Sequence, residues 1–106
     1  MTAWLFLAGA ILCEVGGSLT LKAALDHRLL YVVVAIGYVS SFILLTYTLK
    51  AGLGLGVTYG VWAGLGVALT AVGSTIFFDE PLNAVMGIGM GLIIGGVVLV
   101  EVGASQ

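Results

Sequence analysis

Long apolar runs alternate along the chain with short clusters of charged and polar residues. Each run can cross the hydrocarbon core of a bilayer, which takes about 20 mostly apolar residues in a helix. The pattern predicts four membrane-spanning helices, at about residues 3–21, 29–49, 56–78 and 84–102. The connections are too short for a soluble domain, so successive helices must run in opposite directions. We therefore expect an all-α membrane protein whose single transmembrane domain covers residues 1–106.

Composition supports this class and excludes others. Of the 106 residues, 61% are hydrophobic and only 8% are charged, whereas a soluble domain carries about 25% charged residues. A soluble enzyme is therefore not expected, and a net charge of -2 leaves no basic stripe for nucleic acid. The single Cys13 has no Cys or His partner at metal-ligand spacing. We expect a non-enzymatic membrane protein without a metal site or cofactor.

The basic residues are divided almost equally between the two ends of the predicted bundle. Lys22 and Arg28 lie in the first connection and Lys50 lies in the second. Because a surplus of basic residues sets membrane orientation, a difference of one permits insertion both ways. An antiparallel pair of identical chains is therefore possible. Four short helices also enclose little space, so we expect a substrate cavity to need a second subunit.

Glu14 lies near the middle of the first apolar run. An acidic residue there costs roughly 2.5 to 3.5 kcal/mol on insertion scales, which the apolar neighbours only about balance. It also argues against a signal peptide, as does the lack of a preceding positive charge. We expect Glu14 to face a cavity and to exchange a proton for a cation. The alternative is a protonated glutamate that makes one structural hydrogen bond between helices.

The residues that share the helical face of Glu14 are small, apart from Ile11. Ala10, Gly17 and Ser18 lie one turn away. They leave room around a carboxylate, but they equally permit close helix packing.

Aromatic residues supply a second candidate feature. Tyr59 and Trp62 are three residues apart on the third helix, Gly66 continues their face, and Tyr38 lies near the middle of the second helix. An aromatic face attracts organic cations by about 0.5 to 2 kcal/mol. With Glu14 these rings would form a site for lipophilic cations. The alternative is that they simply pack.

The fourth helix is rich in glycine and has no charge before Glu101. Its closely spaced glycines are Gly87, Gly89, Gly91, Gly95 and Gly96. Such a surface favours contact between helices or subunits, with flexibility as the alternative. The spacing G-x-G-x-x-G does not occur there, which disfavours a nucleotide site.

Three segments together resemble the small multidrug resistance transporters. They are GAILCEVGGSLTLK at 9–22, GVTYGVWAGLG at 56–66 and GMGLIIGGV at 89–97. The resemblance covers essentially the whole chain. It implies an antiparallel, dual-topology dimer in the bacterial inner membrane that exports cationic compounds in exchange for protons. The proton gradient would then be the energy source, and lipophilic cations, protons and a second subunit would be the partners.

The resemblance also implies roles for individual residues. Glu14 matches the membrane carboxylate shared by proton and substrate. The positions that match the substrate pocket are Trp62, Tyr59, Tyr38, Ser18, Gly17 and Ala10. Gly89 and Gly96 match the seven-residue glycine spacing used for dimerisation.

The resemblance favours the quaternary-ammonium or multidrug type over the guanidinium type. Guanidinium exporters typically carry a Trp one turn after the carboxylate, where this chain has Gly17. The usual Pro is missing from residues 50–55, and the usual Ala residues beside the helix 3 tyrosine are Thr58 and Gly60. Open alternatives are a guanidinium exporter of the same fold, one subunit of an obligate heterodimer, and a non-transporting membrane assembly or pore-forming protein.

Overall fold

The computed structural model describes residues 2–104, which contain four α-helices. They are α1 (Thr2–Ala24), α2 (Leu30–Lys50), α3 (Leu55–Phe78) and α4 (Ala84–Ala104). Each is long and apolar enough to cross a membrane. At 1.5 Å per residue, even the shortest spans about 30 Å, the thickness of a bilayer core. The predicted all-α fold with four membrane-spanning helices is confirmed.

The end of α1 differs from the sequence-based expectation. Lys22, expected in the first connection, lies in the last turn of α1, which continues to Ala24. The apolar run marks the edge of the hydrocarbon core, whereas the helix itself continues into the polar layer. A basic residue in a last turn is also favoured by the partial negative charge of the helix C-terminus.

Two left-handed residues turn the chain between helices. Gly52, after α2, has φ 106°, which glycine adopts without a Cβ clash. Asp79, after α3, has φ 53° and ψ 30°, a conformation that aspartate tolerates better than most residues. Asn83 then accepts a hydrogen bond from the Met86 N–H at 2.9 Å and so caps the start of α4.

The first three helices form one packed unit in which α1 contacts both α2 and α3. The buried cluster at its centre consists of Leu7, Ala10, Ile11, Leu45 and Val61. This packing fixes α1 between its two neighbours, and α1 carries Glu14.

Within residues 2–104, α4 packs only against α3 and buries none of its residues. Two glycines of α3 permit this approach. A Cβ on Gly64 would lie 2.8 Å from Val97 Cγ2 and 3.3 Å from Ile93 Cγ2, and a Cβ on Gly60 would lie 3.9 Å from Val100 Cγ1. Most of the rest of α4 is exposed within the single chain.

Candidate functional site

A cavity of about 510 Å³ lies between α1 and α3. Two stripes of residues at one-turn spacing face each other across it: Glu14, Ser18 and Lys22 on α1, and Gly66, Thr70, Ser74 and Phe78 on α3. Tyr38 of α2 adds to the wall, and Glu80 lies at the end that is open to solvent. We call the region of Lys22, Phe78 and Glu80 the mouth. The cavity thus runs from a carboxylate in mid-membrane to the surface.

Glu14 lies at the inner end of the cavity and rests against Gly66. A Cβ on the buried Gly66 would collide with the carboxylate carbon and both carboxylate oxygens of Glu14. Among the residues described, no hydrogen-bond partner reaches the buried Oε1 of Glu14. The structure therefore does not support the alternative of a purely structural hydrogen bond through this oxygen. A buried acceptor of this kind is costly unless it is satisfied, so an ionisable residue within a membrane span is a candidate functional residue.

Tyr38 is held in the cavity wall by two neighbours on α1. Its hydroxyl shares a 2.5 Å hydrogen bond with the Ser18 hydroxyl. Its ring lies over Gly17, where a Cβ would approach Tyr38 Cδ2 to 3.1 Å. A large side chain at Gly17 would require Tyr38 to move. The two small residues near Glu14 therefore have different places: Ser18 lines the cavity, and Gly17 leaves space for the Tyr38 ring.

Ala10 and Trp62 belong to a second hydrogen-bonded group. The fully buried Ser41 donates to the Ala10 carbonyl at 2.7 Å and accepts from Trp62 Nε1 at 2.9 Å. This chain of bonds connects α1, α2 and α3. Ser41 was not among the residues predicted from the sequence, although a hydroxyl in an apolar helix is expected to bond to a neighbouring helix.

In a single chain, Tyr59 and Trp62 do not line the cavity that holds Glu14. Their rings meet edge to face with centroids 5.8 Å apart, and Phe42 lies on Trp62 at 5.5 Å. The bond from Trp62 to Ser41 draws the indole toward α2. The structure therefore brings Glu14, Ser18, Tyr38 and Gly66 together and leaves the helix 3 aromatic pair outside.

Lys22 and Glu80 form a pair at the mouth that was not predicted from the sequence. Lys22 forms an ion pair and hydrogen bond with Glu80, and its Nζ lies 5.7 Å from the centre of the Phe78 ring. The hydrogen bond from Lys22 holds the pKa of Glu80 below its usual range. Both side chains remain partly exposed, at 52% and 39%.

A spacing signal could have found the missed cavity residues. Ser18 and Lys22 follow Glu14 at steps of four, and Thr70, Ser74 and Phe78 follow Gly66 in the same way. Residues at this spacing form a continuous stripe along one helix face. The pairing of the two stripes still depends on how α1 and α3 pack.

The predicted dimer positions lie outside the packed unit. A Cβ on Gly89 or Gly96 would meet nothing within 4 Å. Both glycines are therefore accessible to a second chain, and their interface role stays a prediction.

Comparison with known proteins identifies the family to which these helices belong. Residues 2–93 match the family model described as Small Multidrug Resistance protein. The chain belongs to the small multidrug resistance family. Over 103 residues, 95% of this chain, it is 45% identical to the multidrug resistance protein EbrB of Bacillus licheniformis, of which the match covers 86%.

Two further relatives agree with this membership. The quaternary ammonium compound-resistance protein QacF of Klebsiella aerogenes is 40% identical over 103 residues, covering 95% of this chain and 93% of QacF. The multidrug resistance protein mmr of Mycolicibacterium paratuberculosis is 36% identical over 97 residues, covering 90% and 91%. The resemblance seen in the sequence is thereby confirmed, and membership together with four spans makes the chain a multi-pass membrane protein.

Proposed function

We propose that this member of the small multidrug resistance family is a multidrug efflux transporter that exchanges protons for lipophilic or quaternary ammonium cations across the bacterial inner membrane. The proposal rests on the half-buried Glu14 side chain, which lines a cavity between two spans and whose buried Oε1 has no hydrogen-bond partner among the described residues. An ionisable group in this position has a functional role by default.

Competition at Glu14 gives the coupling. The carboxylate binds either a proton or an organic cation, so each ligand displaces the other. Binding alone cannot drive transport. A proton gradient drives it if the empty, deprotonated protein switches only slowly between the states open to the two sides of the membrane. The hydroxyls of Ser18, Thr70 and Ser74 line the way from Glu14 to the mouth. They offer a polar path for a proton or a hydrated cation.

The shape of the cavity supports an organic cation as substrate. Its volume of about 510 Å³ lies within the roughly 300 to 1,000 Å³ typical of small-molecule sites. The Tyr38 ring supplies an aromatic wall, and Gly17 leaves the space that this ring occupies. Resistance to quaternary ammonium compounds, for which the relative QacF is named, fits the same chemistry.

A second subunit completes the proposal. Tyr59 is 42% exposed, and α4 is largely uncovered within the single chain. An antiparallel partner, either identical or paralogous, would cover α4 through Gly89 and Gly96. It would also enclose the aromatic pair with the carboxylate, as the family resemblance implies.

Currents from proteoliposomes on a solid support test this function. We expect tetraphenylphosphonium to evoke a proton-dependent current from the wild-type chain and none from Glu14→Gln. Glu101→Gln is the matched control, because it removes a carboxylate from near the end of α4 and should leave the current unchanged.

Other outcomes separate the alternatives. Current with guanidinium alone would identify a guanidinium exporter. Silence from folded protein, restored by a paralogous subunit, would identify half of a heterodimer. Coupled current that persists in Glu14→Gln would contradict the proposed mechanism.

A further inference from the structure

The mouth of the cavity already holds an organic ammonium group, which belongs to the chain itself. Lys22 Nζ is paired with the Glu80 carboxylate and lies 5.7 Å from the centre of the Phe78 ring. A cation within about 6 Å of an aromatic centre is attracted by the ring face. A carboxylate beside an aromatic face is also the chemistry that recognises substituted ammonium ions. The mouth therefore presents the carboxylate and the aromatic ring that such a cation requires.

Backbone geometry directs Glu80 to this place. Asp79 adopts the left-handed conformation that ends α3, and the Glu80 N–H then reaches back to the Ser74 carbonyl at 3.4 Å. Phe78 is the last residue of α3, and Lys22 is in the last turn of α1. The end of α1 and the segment at the end of α3 thus converge on one point of the cavity wall.

We propose that Glu80 and Phe78 form an outer cation subsite, which the Lys22 ammonium occupies until an incoming quaternary or protonated organic ammonium displaces it. An exposed ion pair is weak and a lysine ammonium is strongly hydrated, so Lys22 can return to water at little cost. The inference rests on the proposed function, because the same organic cations would pass through the mouth on their way to Glu14.

The outer subsite is separate from the inner one. Lys22 follows Glu14 by eight residues, which is about 12 Å along a helix. A cation at the mouth therefore does not occupy the space next to Glu14. A cation that enters through the mouth would bind first at Glu80 and then at Glu14.

Opposite effects of two substitutions distinguish a subsite from a simple latch. If the pair only fastened the α3–α4 connection to α1, breaking it from either side would have the same effect. For a subsite, Lys22→Met frees Glu80 and lowers the KM for tetraphenylphosphonium, whereas Glu80→Gln raises it. We expect each change to be roughly two- to fivefold, as is usual for partly exposed charged and aromatic contacts.

Asp79→Asn is the matched control for the charge of the connection. It removes one negative charge next to Glu80, but Asp79 does not line the cavity. Asparagine also tolerates the left-handed conformation. We expect its KM to equal that of the wild type. A rise as large as that of Glu80→Gln would show general electrostatic attraction and overturn the subsite.

Binding at the mouth can be observed without transport. Lys22 and Lys50 are the two lysines of the chain, and Lys50 Nζ also lies 5.7 Å from an aromatic centre, that of Tyr47. NMR of ¹³C-dimethylated lysines in the Glu14→Gln protein, titrated with tetraethylammonium, should show a saturable shift of the Lys22 signal. The Lys50 signal should stay constant, and adding Glu80→Gln should abolish the Lys22 response.

The outcomes separate this inference from the proposed function. Glu14-dependent current without a Lys22 response, or KM changes of the same sign in Lys22→Met and Glu80→Gln, would overturn the subsite alone. A saturable Lys22 response without any Glu14-dependent current would support the subsite and contradict the antiporter.

Discussion

The most apolar helix of this chain packs least within it. By hydropathy α4 ranks above α1, α2 and α3, yet none of its residues is buried and, among the described residues, only α3 contacts it. In contrast, α1 is the least apolar of the four and packs against two neighbours. Lipid is as apolar as leucine, so hydropathy determines that a helix lies in the membrane but not which helices it packs against. Small and polar residues decide the packing.

The packed unit shows what those residues do. Ser18 bonds to Tyr38 across α1 and α2, and Ser41 links Ala10 to Trp62 across all three helices. Gly66 makes room for Glu14 in the same unit. The unit therefore carries the site, while α4 offers a surface for lipid or for a second chain.

The largest expected effect is the loss of cation affinity when a glycine of the packed unit, rather than one of α4, is replaced by alanine. Gly66→Ala should weaken tetraphenylphosphonium binding by about tenfold or more, because the added Cβ would displace the Glu14 carboxylate and small misplacements of a functional group are costly. Gly87→Ala in α4, where a Cβ meets nothing within 4 Å, should bind normally. Equilibrium binding to the purified proteins measures both, and equal affinities would contradict the placement of Glu14.

A second contrast lies within α4 and tests the proposed dimer. Gly95 and Gly96 are neighbours whose faces differ by about 100° around the helix. Gly96→Val should lower the dimer fraction strongly, because Gly96 lies seven residues after Gly89 and so shares its helix face. Gly95→Val should retain most of it. Crosslinking in lipid measures the dimer fraction, and the reverse order would place the interface on the other face.

A smaller effect is expected for the polar contacts that hold the packed unit together. Ser41→Ala leaves Trp62 Nε1 without its acceptor and should lower the free energy of unfolding by about 1 kcal/mol, the usual scale for interhelical hydrogen bonds in membranes. Ser40→Ala, the same change one residue earlier, is the control. Unfolding by SDS titration compares them, and equal stabilities would show that the bond to Trp62 contributes little.

The smallest effect is expected at the mouth, where the ion pair is exposed. Lys22 lowers the pKa of Glu80. The ionised Glu80 therefore stabilises the fold at neutral pH, and this stabilisation is lost as the pH falls through the lowered pKa. The thermal midpoints of wild type and Glu80→Gln should therefore differ slightly at pH 7 and converge in acid. A difference that grows in acid would contradict the assignment.

The sequence predicts the parts of this structure that depend on the membrane. Four apolar runs give four helices, and Glu14 stands out because a charge there is costly. The position of Trp62 does not follow from helical spacing, because its bond to Ser41 depends on how α2 and α3 pack. The contact of Lys22 with Glu80 depends on the left-handed turn at Asp79, which brings residues 58 positions apart together.

Proton release on cation binding tests most directly whether Glu14 is shared between proton and substrate. Tetraphenylphosphonium is added to weakly buffered, purified protein, and a pH-indicator dye reports the protons released. We predict that the wild type releases protons, in an amount that falls as the starting pH is raised because Glu14 is then already deprotonated. We predict no release from Glu14→Gln. Equal release from Glu14→Gln, or cation binding without release at every pH, would contradict these predictions.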